Sequence, residues 1–227
     1  MRILVAVAVA GLAGCSANPQ KEVARKAAKA MAGSPETLTA VVSLTMEGTG
    51  SVEESPMAFT RSISFRRERM REDVTRRGLP ALVTAVDGKV AYRLDGDGRP
   101  VWESEAEAAD RRTRIYHHPI GFLLAAFSGN TQLSDSRVEG AEEAVDLTAG
   151  GDRYSLYVDS QTHLPTRIVS RKSGRVRETS FSGYQKVHGY TLPYHIVEKS
   201  DGQVVAEWKV ERQFAGWDIP GLVAPAR

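Results

Sequence analysis

The sequence predicts a mainly β fold in which an antiparallel sheet is accompanied by a few helices. Apolar and polar residues alternate in short segments along much of residues 38–214. Turn-forming groups such as Asp87-Gly88 and Ser200-Asp201-Gly202 separate these segments at intervals of about ten residues, as in an antiparallel meander. One apolar face per segment fits a sheet curled around a core, as in a sandwich or a barrel.

The N-terminus has the form of a secretory signal. Arg2 supplies a positive charge, residues 3–12 are apolar apart from one glycine, and the small pair Ala13-Gly14 precedes Cys15. The apolar run is too short to span a bilayer, which needs about twenty apolar residues. We therefore expect residues 1–14 to be a signal peptide.

Cys15 ends a segment, Leu12-Ala13-Gly14-Cys15, that resembles the lipobox of bacterial lipoprotein signals. The resemblance implies cleavage before Cys15 and attachment of lipid to its thiol. Cys15 is the only cysteine in the chain, and an exported protein with one unpaired thiol is otherwise unusual. The alternative is an unlipidated signal followed by an incidental free cysteine. We expect residues 15–21 to form a lipidated tether and residues 22–227 to form a single domain.

The segment that ends at Gly33 predicts a short amphipathic helix. Val23, Ala27 and Met31 recur at helical spacing and form an apolar stripe, while most of the lysines and arginines occupy other positions. Gly33 is a natural residue for the end of a helix, and Pro35 prevents its continuation.

Beyond Pro35 the spacing of the apolar residues falls from about four to two, which predicts β-strands. The pair Asp87-Gly88 is typical of a hairpin turn, and Asp95-Gly96-Asp97-Gly98 predicts another turn. The clearest alternating segments are residues 38–46, 57–65, 154–158, 164–168, 176–187, 190–199 and 204–214.

Two segments interrupt the meander. Residues 104–116 are charged and contain alanine, which predicts a polar helix or a loop. Residues 119–127 are apolar on every side, and a helix of this kind must be buried. In a mainly β protein, the simplest place for such a helix is inside the sheet or over its mouth.

Two stretches of the C-terminal half share a recognisable pattern of turns. In Leu156–Ile168, a strand ending in aspartate turns through Thr-x-Leu-Pro. In Phe181–Pro193, a tyrosine precedes a glycine-containing turn and another Leu-Pro. Both resemble the lipoprotein-localisation superfamily, typified by LolA and LolB, and residues 86–92 are more loosely similar to its central hairpin.

This resemblance implies an incomplete antiparallel β-barrel, or strongly curved sheet, with helices plugging the open side. It also implies a hydrophobic cavity that takes acyl chains, with no catalytic residues and no cofactor. LolA carries no lipidated cysteine, and we find neither the tryptophan-rich pattern nor the apolar protruding loop of LolB. The chain is therefore more similar to the stand-alone lipoproteins that share this fold, and Ser16 after Cys15 favours the outer membrane.

Inward-facing apolar residues are the candidates for lining such a cavity. The alternative is a filled interior, in which they pack against one another and against the helix of residues 119–127. The candidates are Phe59, Ile63, Phe65, Phe122, Leu123, Leu156, Ile168, Leu192, Tyr194, Ile196, Trp208 and Val210.

Arg61 shares the alternation of its apolar neighbours, which predicts an inward side chain that would be costly unless paired. It is a candidate for contact with a headgroup at the mouth of the cavity, and a bulge that turns it outward is the alternative. The further arginines up to Arg77 would attract anionic headgroups or an acidic partner. They would equally suit a solvated outer face that discourages edge pairing.

Catalytic and metal motifs give no candidate site. The sequence lacks a Gly-x-Ser-x-Gly elbow, a His-Glu-x-x-His motif, a Walker loop and a dinucleotide fingerprint. A calcium loop opening at Asp95 would need its glutamate where Ala106 stands. His117-His118 could begin a metal site, but we expect polar surface there. The formal net charge of +2 does not indicate nucleic acid as a partner.

These observations predict a lipid-anchored lipoprotein of the bacterial envelope, held at the periplasmic face of the outer membrane. We expect it to bind lipid or an acylated protein in a hydrophobic cavity, for transport or envelope maintenance, with an envelope protein as a further partner. The alternative is a protein-interaction or sensory module that uses the same fold without a lipid. An anchored hydrolase would need a nucleophile and base that the sequence does not reveal.

Overall fold

The computed structural model describes residues 18–216 except 80, 130 and 173. The signal peptide and Cys15 lie outside these residues, so what the sequence predicts for them stays a prediction. The helices are α1 (Pro19–Ala32), α2 (Pro35–Thr39), α3 (Glu105–Thr113) and α4 (Pro119–Phe127), with a 3-10 helix at Arg114–His117. The strands are β1 (Ser43–Val52), β2 (Ser55–Ser64), β3 (Arg69–Thr75), β4 (Leu82–Asp87), β5 (Val90–Leu94), β6 (Pro100–Trp102), β7 (Gln132–Glu139), β8 (Glu142–Ala149), β9 (Asp152–Asp159), β10 (Pro165–Lys172), β11 (Arg175–Ser182), β12 (Gln185–Val187), β13 (Tyr190–Leu192), β14 (His195–Ser200) and β15 (Gln203–Gly216).

In the described part of the chain, thirteen strands form one antiparallel sheet in the order β6-β5-β4-β3-β2-β1-β15-β14-β11-β10-β9-β8-β7. The long strand β15 joins the two halves, because it pairs with β1 on one side and with β14 on the other. The edge strands β6 and β7 are not neighbours, so the curved sheet stays open. The chain between them, residues 103–131, carries α3 and α4. The predicted incomplete antiparallel barrel with helices at its open side is confirmed.

One face of the sheet and the helices share a single core. The buried stripe of α1, which includes Val23, Ala27 and Met31, belongs to it together with the apolar residues of α4. The Asn18 side chain caps α1 and Pro19 is its first residue, so the helix begins inside the segment that the sequence assigned to a tether. We call the helix-covered face of the sheet the concave face.

Three predicted strands have different bounds in the structure. Alternation predicts a strand from Leu38, but residues 35–39 are the helix α2, because Ser34 accepts from the Thr37 amide as N-cap and Pro35 suits the first turn. Strand β1 begins later, at Ser43. The predicted strands 176–187 and 190–199 are each divided, and the separate hairpin of β12 and β13 lies between β11 and β14.

Gly50 in β1 allows the central strands to approach closely. A Cβ atom at this position would lie 2.5 Å from Cε3 of Trp208 on β15, which is closer than packed carbon atoms come. The indole of Trp208 therefore lies against bare backbone. None of the helices described is long and apolar enough to cross a membrane.

Candidate ligand-binding site

Helix α4 lies over the core of the concave face with its N-terminus fixed by local contacts. His118 is its N-cap and Pro119 its first residue, and seven of its nine residues are buried. Gly121 packs against the carbonyl oxygen of Ile115 in the 3-10 helix, where a Cβ atom would overlap that oxygen. The predicted buried helix is confirmed with the bounds that its apolar run indicates.

A cavity of about 230 Å³ lies beside the start of α4, between the 3-10 helix and strands β2, β3, β11 and β14. Its apolar wall is formed mainly by Ile63, Met70, Phe181 and Ile196. The cavity is lined by polar and charged side chains as well, which distinguishes it from the hydrophobic cavity that the resemblance implies. These polar residues are Arg61, Glu72, Arg114, His117, His118, Arg177, Glu178, Thr179, Glu198, Lys199 and Ser200.

Arg61 lies on the concave face, as its alternation predicts, and its side chain is 16% exposed. Its Nε and Nη2 donate to Oε1 of Glu72 at 2.9 and 2.6 Å, and Nη2 also donates to Oε1 of Glu198 at 3.1 Å. The same Glu198 oxygen accepts from Nε1 of Trp208 at 3.0 Å. These four residues form what we call the inner arginine cluster, in which two carboxylates neutralise a guanidinium that the core has removed from water.

The pKa values of Arg61 and Glu198 are both shifted in the direction that favours the charged form. Burial alone would lower the pKa of Arg61, but the charges of Glu72 and Glu198 raise it above its ordinary value. Burial would raise the pKa of Glu198, yet the nearby charges of Arg61 and Arg114 hold it below its ordinary value. Nη1 of Arg114 lies 4.0 Å from Oε2 of Glu72, so Arg114 brings a second positive charge to these carboxylates.

His118 is a buried neutral imidazole beside this cluster. Its side chain is 5% exposed, and its pKa is lowered to about 3 by burial and by the charge of Arg61. Nδ1 accepts from the Ile120 amide at 3.3 Å, so the proton of the neutral ring is on Nε2. Within the described residues, Nε2 has no hydrogen-bond partner.

His117 is partly buried, and both of its ring nitrogens are hydrogen-bonded. Nδ1 lies 3.2 Å from Oγ1 of Thr179, and Nε2 lies 2.9 Å from Oγ of Ser170. Burial lowers its pKa to about 4. The expectation of polar surface at His117-His118 is wrong, because the 3-10 helix directs both rings toward the sheet. Among the described residues, no group of three histidine, cysteine, aspartate or glutamate side chains could hold a metal ion.

The twelve candidate cavity residues all lie in the core of the concave face. Ten are buried, while Phe65 and Tyr194 are partly buried and pack against the others. Of the twelve, Ile63 and Ile196 line the cavity, and Phe65 lines a second space of about 800 Å³. Most of the rest therefore pack against one another and α4, and the open volume lies beside this core rather than inside it. The nine candidates that line neither space are Phe59, Phe122, Leu123, Leu156, Ile168, Leu192, Tyr194, Trp208 and Val210.

The second space, which we call the outer groove, lies on the other side of the 3-10 helix and α4. Its lining includes Ile115, Tyr116 and Leu124, with Phe65 from the end of β2. The Phe65 ring is 6.2 Å from that of His118, measured between centroids. One lining residue of the groove is thus in contact with one lining residue of the cavity.

The arginines between 66 and 77 do not form one basic face. Arg66 and Arg67 are exposed in the turn before β3, whereas Arg76 and Arg77 are exposed beyond its other end. Between them, Nε of Arg69 lies 2.6 Å from Oδ1 of Asp87, and Nε of Arg71 lies 3.0 Å from Oδ2 of Asp73. Positive charge is therefore divided between the two ends of a strand.

From the sequence, an inward Arg61 and a bulge that turns it outward were both open, and its partners were not identified. Glu198 lies two residues after Ile196, which was predicted to point inward, so the same alternation places its carboxylate on the concave face. Glu72 lies opposite Arg61 in the register of β2 and β3. An inward arginine therefore signals inward acids at matching positions of neighbouring strands.

An open antiparallel sheet with helices over its concave face defines a fold class that solved structures share. No protein-family model matches the chain, and no curated protein matches it. Among solved structures, a LolA superfamily protein from Nitrosomonas europaea matches with a TM-score of 0.56 and 12% identity, over 88% of this chain and 94% of the other. The chain has the fold of the LolA superfamily, which confirms the fold expected from the resemblance.

Two further solved structures match with lower TM-scores. An uncharacterized conserved protein from Thermus thermophilus has a TM-score of 0.35 and 12% identity, over 87% of this chain and 88% of the other. LprF from Mycobacterium bovis has a TM-score of 0.33 and 10% identity, over 92% of this chain and 99% of the other.

Proposed function

We propose that this protein is a lipid-anchored lipoprotein of the bacterial envelope that binds a lipid or an acylated protein beside helix α4. The observation that carries the proposal is the cavity at the start of α4, where an apolar wall meets the inner arginine cluster. Long-chain lipids combine an apolar chain with a polar end, and this site offers a surface for each. Cys15 would hold the site at the periplasmic face of the outer membrane, in support of lipid transport or envelope maintenance.

The volumes suit a bound lipid when both spaces are used. Pockets for small molecules commonly enclose about 300–1,000 Å³, and the cavity alone falls below that range at about 230 Å³. The outer groove adds about 800 Å³ next to it. Phe65 and His118 stand between them, so a rotation of the Phe65 side chain would give an acyl chain a continuous path.

The position of α4 supports a role as a gate. The polar contacts at its N-terminus are local, because His118 caps its own helix and Gly121 packs on the neighbouring 3-10 helix. These elements can move together without breaking the pairing of the sheet, at the cost of the two hydrogen bonds that His117 makes to Thr179 and Ser170. Movement of the pair away from the strands would open the cavity toward the outer groove.

Bound lipid can be sought on the protein as a bacterium makes it. The full chain and its Cys15→Ser variant are expressed in a proteobacterial host, fractionated, and analysed by native mass spectrometry and organic extraction. We expect the wild-type chain in the membrane fraction, the variant in the periplasmic fraction, and lipid bound to the released variant. Ile196→Trp, which fills the cavity, should lower the lipid content, whereas Val138→Trp, at an exposed position of β7, should not.

The result that would contradict the proposal is a folded Cys15→Ser variant that carries no lipid and takes none from vesicles of bacterial phospholipid. Loss of lipid in both tryptophan variants would also count against this site, since Val138 is 72% exposed and lies away from the cavity.

A further inference from the structure

His118 offers a hydrogen bond that the described protein groups do not accept. Its Nε2 is buried and unpartnered, while Nδ1 is occupied by the Ile120 amide. A buried donor without an acceptor is destabilising, so the site favours any ligand that supplies an acceptor atom. Since Nδ1 is turned to the helix and His118 lines the cavity, Nε2 is the nitrogen left to face a ligand.

The surroundings of His118 favour a neutral acceptor over an anion. Nε and Nη2 of Arg61 are already bonded to Glu72 and Glu198. The other cations of the cavity are also paired with carboxylates: Arg114 with Glu72, Arg177 with Asp110, and Lys199 with Glu178. An anion would compete with these carboxylates for each cation, and like charges repel at short range. A neutral carbonyl oxygen can accept from Nε2–H without this repulsion.

The walls next to His118 fit an alkyl chain attached to such a carbonyl. Phe181 has its ring centroid 6.5 Å from that of His118, and Ile63 and Ile196 line the same cavity. On the other side Phe65 leads to the outer groove with Ile115 and Leu124. The Nε2–H donor therefore has apolar surface on two sides, in the cavity and toward the outer groove. Such surroundings suit an acyl linkage better than a fully polar ligand.

We propose that Nε2–H of His118 donates a hydrogen bond to the carbonyl oxygen of an uncharged acyl linkage, an ester or an amide. The acyl chain lies along the apolar wall of the cavity and continues past Phe65 into the outer groove. This inference rests on the proposed lipid-binding function and adds the chemical group that the site recognises.

The test compares two ligands that differ in this carbonyl. Monopalmitoylglycerol carries an ester carbonyl, and its hexadecyl ether analogue lacks it. We expect the full-length chain carrying Cys15→Ser to bind the ester about tenfold more tightly than the ether, since the ether has no acceptor at the position of the carbonyl oxygen. Asparagine is a good N-cap for the Ile120 amide, and its side chain is too short to place an N–H donor where Nε2–H lies. In His118→Asn the two affinities should therefore be equal.

A spectroscopic readout separates this hydrogen bond from a structural role of His118. The stretching band of an isotope-labelled ester carbonyl should move to lower frequency on binding to the wild-type site, and it should not move on binding to His118→Asn. His188→Asn is the matched control, because His188 is exposed in the turn between β12 and β13 and its positive φ of 48° is one that asparagine tolerates. This control should keep both the tenfold preference and the shifted band.

Each contrary outcome has a distinct meaning. Equal binding of ester and ether by the wild-type site, or an ester preference that survives in His118→Asn, would overturn the role of His118 and leave lipid binding standing. Tighter binding of palmitate anion than of the ester would overturn the preference for a neutral acceptor. Failure of the folded protein to bind any of the three probes would overturn both this inference and the proposed function.

Discussion

Two arginine clusters built around an aromatic ring lie on opposite faces of the same sheet. On the concave face, the guanidinium of Arg61 is 5.7 Å from the ring centroid of Trp208. On the other face, the guanidinium of Arg167 is 3.6 Å from the ring of Tyr157 and binds Glu142 at 2.8 Å. Each cluster places a cation over an aromatic ring and neutralises it with a carboxylate.

The two clusters differ in what surrounds them. Tyr157 belongs to a small separate core with Ala144 and Val169, and its hydroxyl accepts from Nη2 of Arg137 at 2.8 Å. Tyr157 lines neither the cavity at the start of α4 nor the outer groove. The inner arginine cluster instead borders the cavity at the start of α4, which His118 with its unpartnered Nε2 also lines. Similar side-chain chemistry therefore stabilises one face of the sheet and offers binding groups on the other.

The largest expected difference between the clusters is the cost of removing the arginine. Arg61→Met removes the guanidinium that binds both Glu198 and Glu72, whose side chain is 10% exposed, and Arg114 at 4.0 Å from Glu72 replaces it incompletely. We expect the free energy of unfolding to fall by about 3 kcal/mol. Arg167→Met removes a side chain that is 28% exposed, and we expect a loss of about 1 kcal/mol or less. Urea titration of both variants measures the difference, and equal losses would contradict the contrast.

The pH dependence of stability should come largely from the two histidines beside the inner arginine cluster. Burial lowers the pKa values of His117 and His118 to about 4 and about 3, whereas imidazoles in unfolded chains titrate near about 6.5. As the pH falls from about 6.5 toward 4, the unfolded chain gains protons that the folded chain does not. Stability should therefore fall by up to about 1.4 kcal/mol per pH unit for each imidazole, and it should be fully retained above this window.

Urea midpoints measured between pH 4 and pH 7 check this prediction. His118→Asn should lose about half of the slope, because His117 alone then remains neutral and buried. The exposed control His188→Asn should keep the slope of the wild-type chain. A slope that is unchanged in His118→Asn would show that His118 is not held neutral by the fold.

The smallest expected difference concerns one hydrogen bond in each cluster. Trp208→Phe removes the donor to the ionised Glu198, and we expect a loss of about 2 kcal/mol because the acceptor is a charged and partly buried carboxylate. Tyr157→Phe removes the hydroxyl that accepts from Arg137, and we expect a loss of about 1 kcal/mol. Thermal unfolding of the two variants compares them, and a costlier Tyr157→Phe would reverse the ranking of the clusters.

Local patterns were sufficient to predict much of the fold. Alternation placed the strands, glycine-containing turns separated them, and the apolar run of residues 119–127 identified α4. The helix α2 was missed because alternation at Leu38 outweighed the short capping signal of Ser34 and Pro35. Such a signal is visible in the sequence, but a single turn of helix has little periodicity to support it.

The site was harder to predict because its parts are distant in the chain. Arg61 and Glu198 are brought together across β1 and β15, so their pairing depends on the register of strands that local sequence does not determine. His118 was assigned to polar surface because its type and its neighbour His117 are polar. Its burial follows from its position as the N-cap of α4, because the apolar run that predicts a buried helix begins at the next residue.

The central position of β15 has a consequence for the order in which the molecule is assembled. Ser43 at the start of β1 pairs with Gly216 at the end of β15, so the two halves of the sheet cannot join until nearly all of the chain is available. Contacts between such distant residues make folding slow, because the entropy of closing the loop is lost before the contacts stabilise the fold. A chain that crosses a membrane N-terminus first, as we propose for this one, would thus keep the two halves of its sheet apart until β15 has emerged.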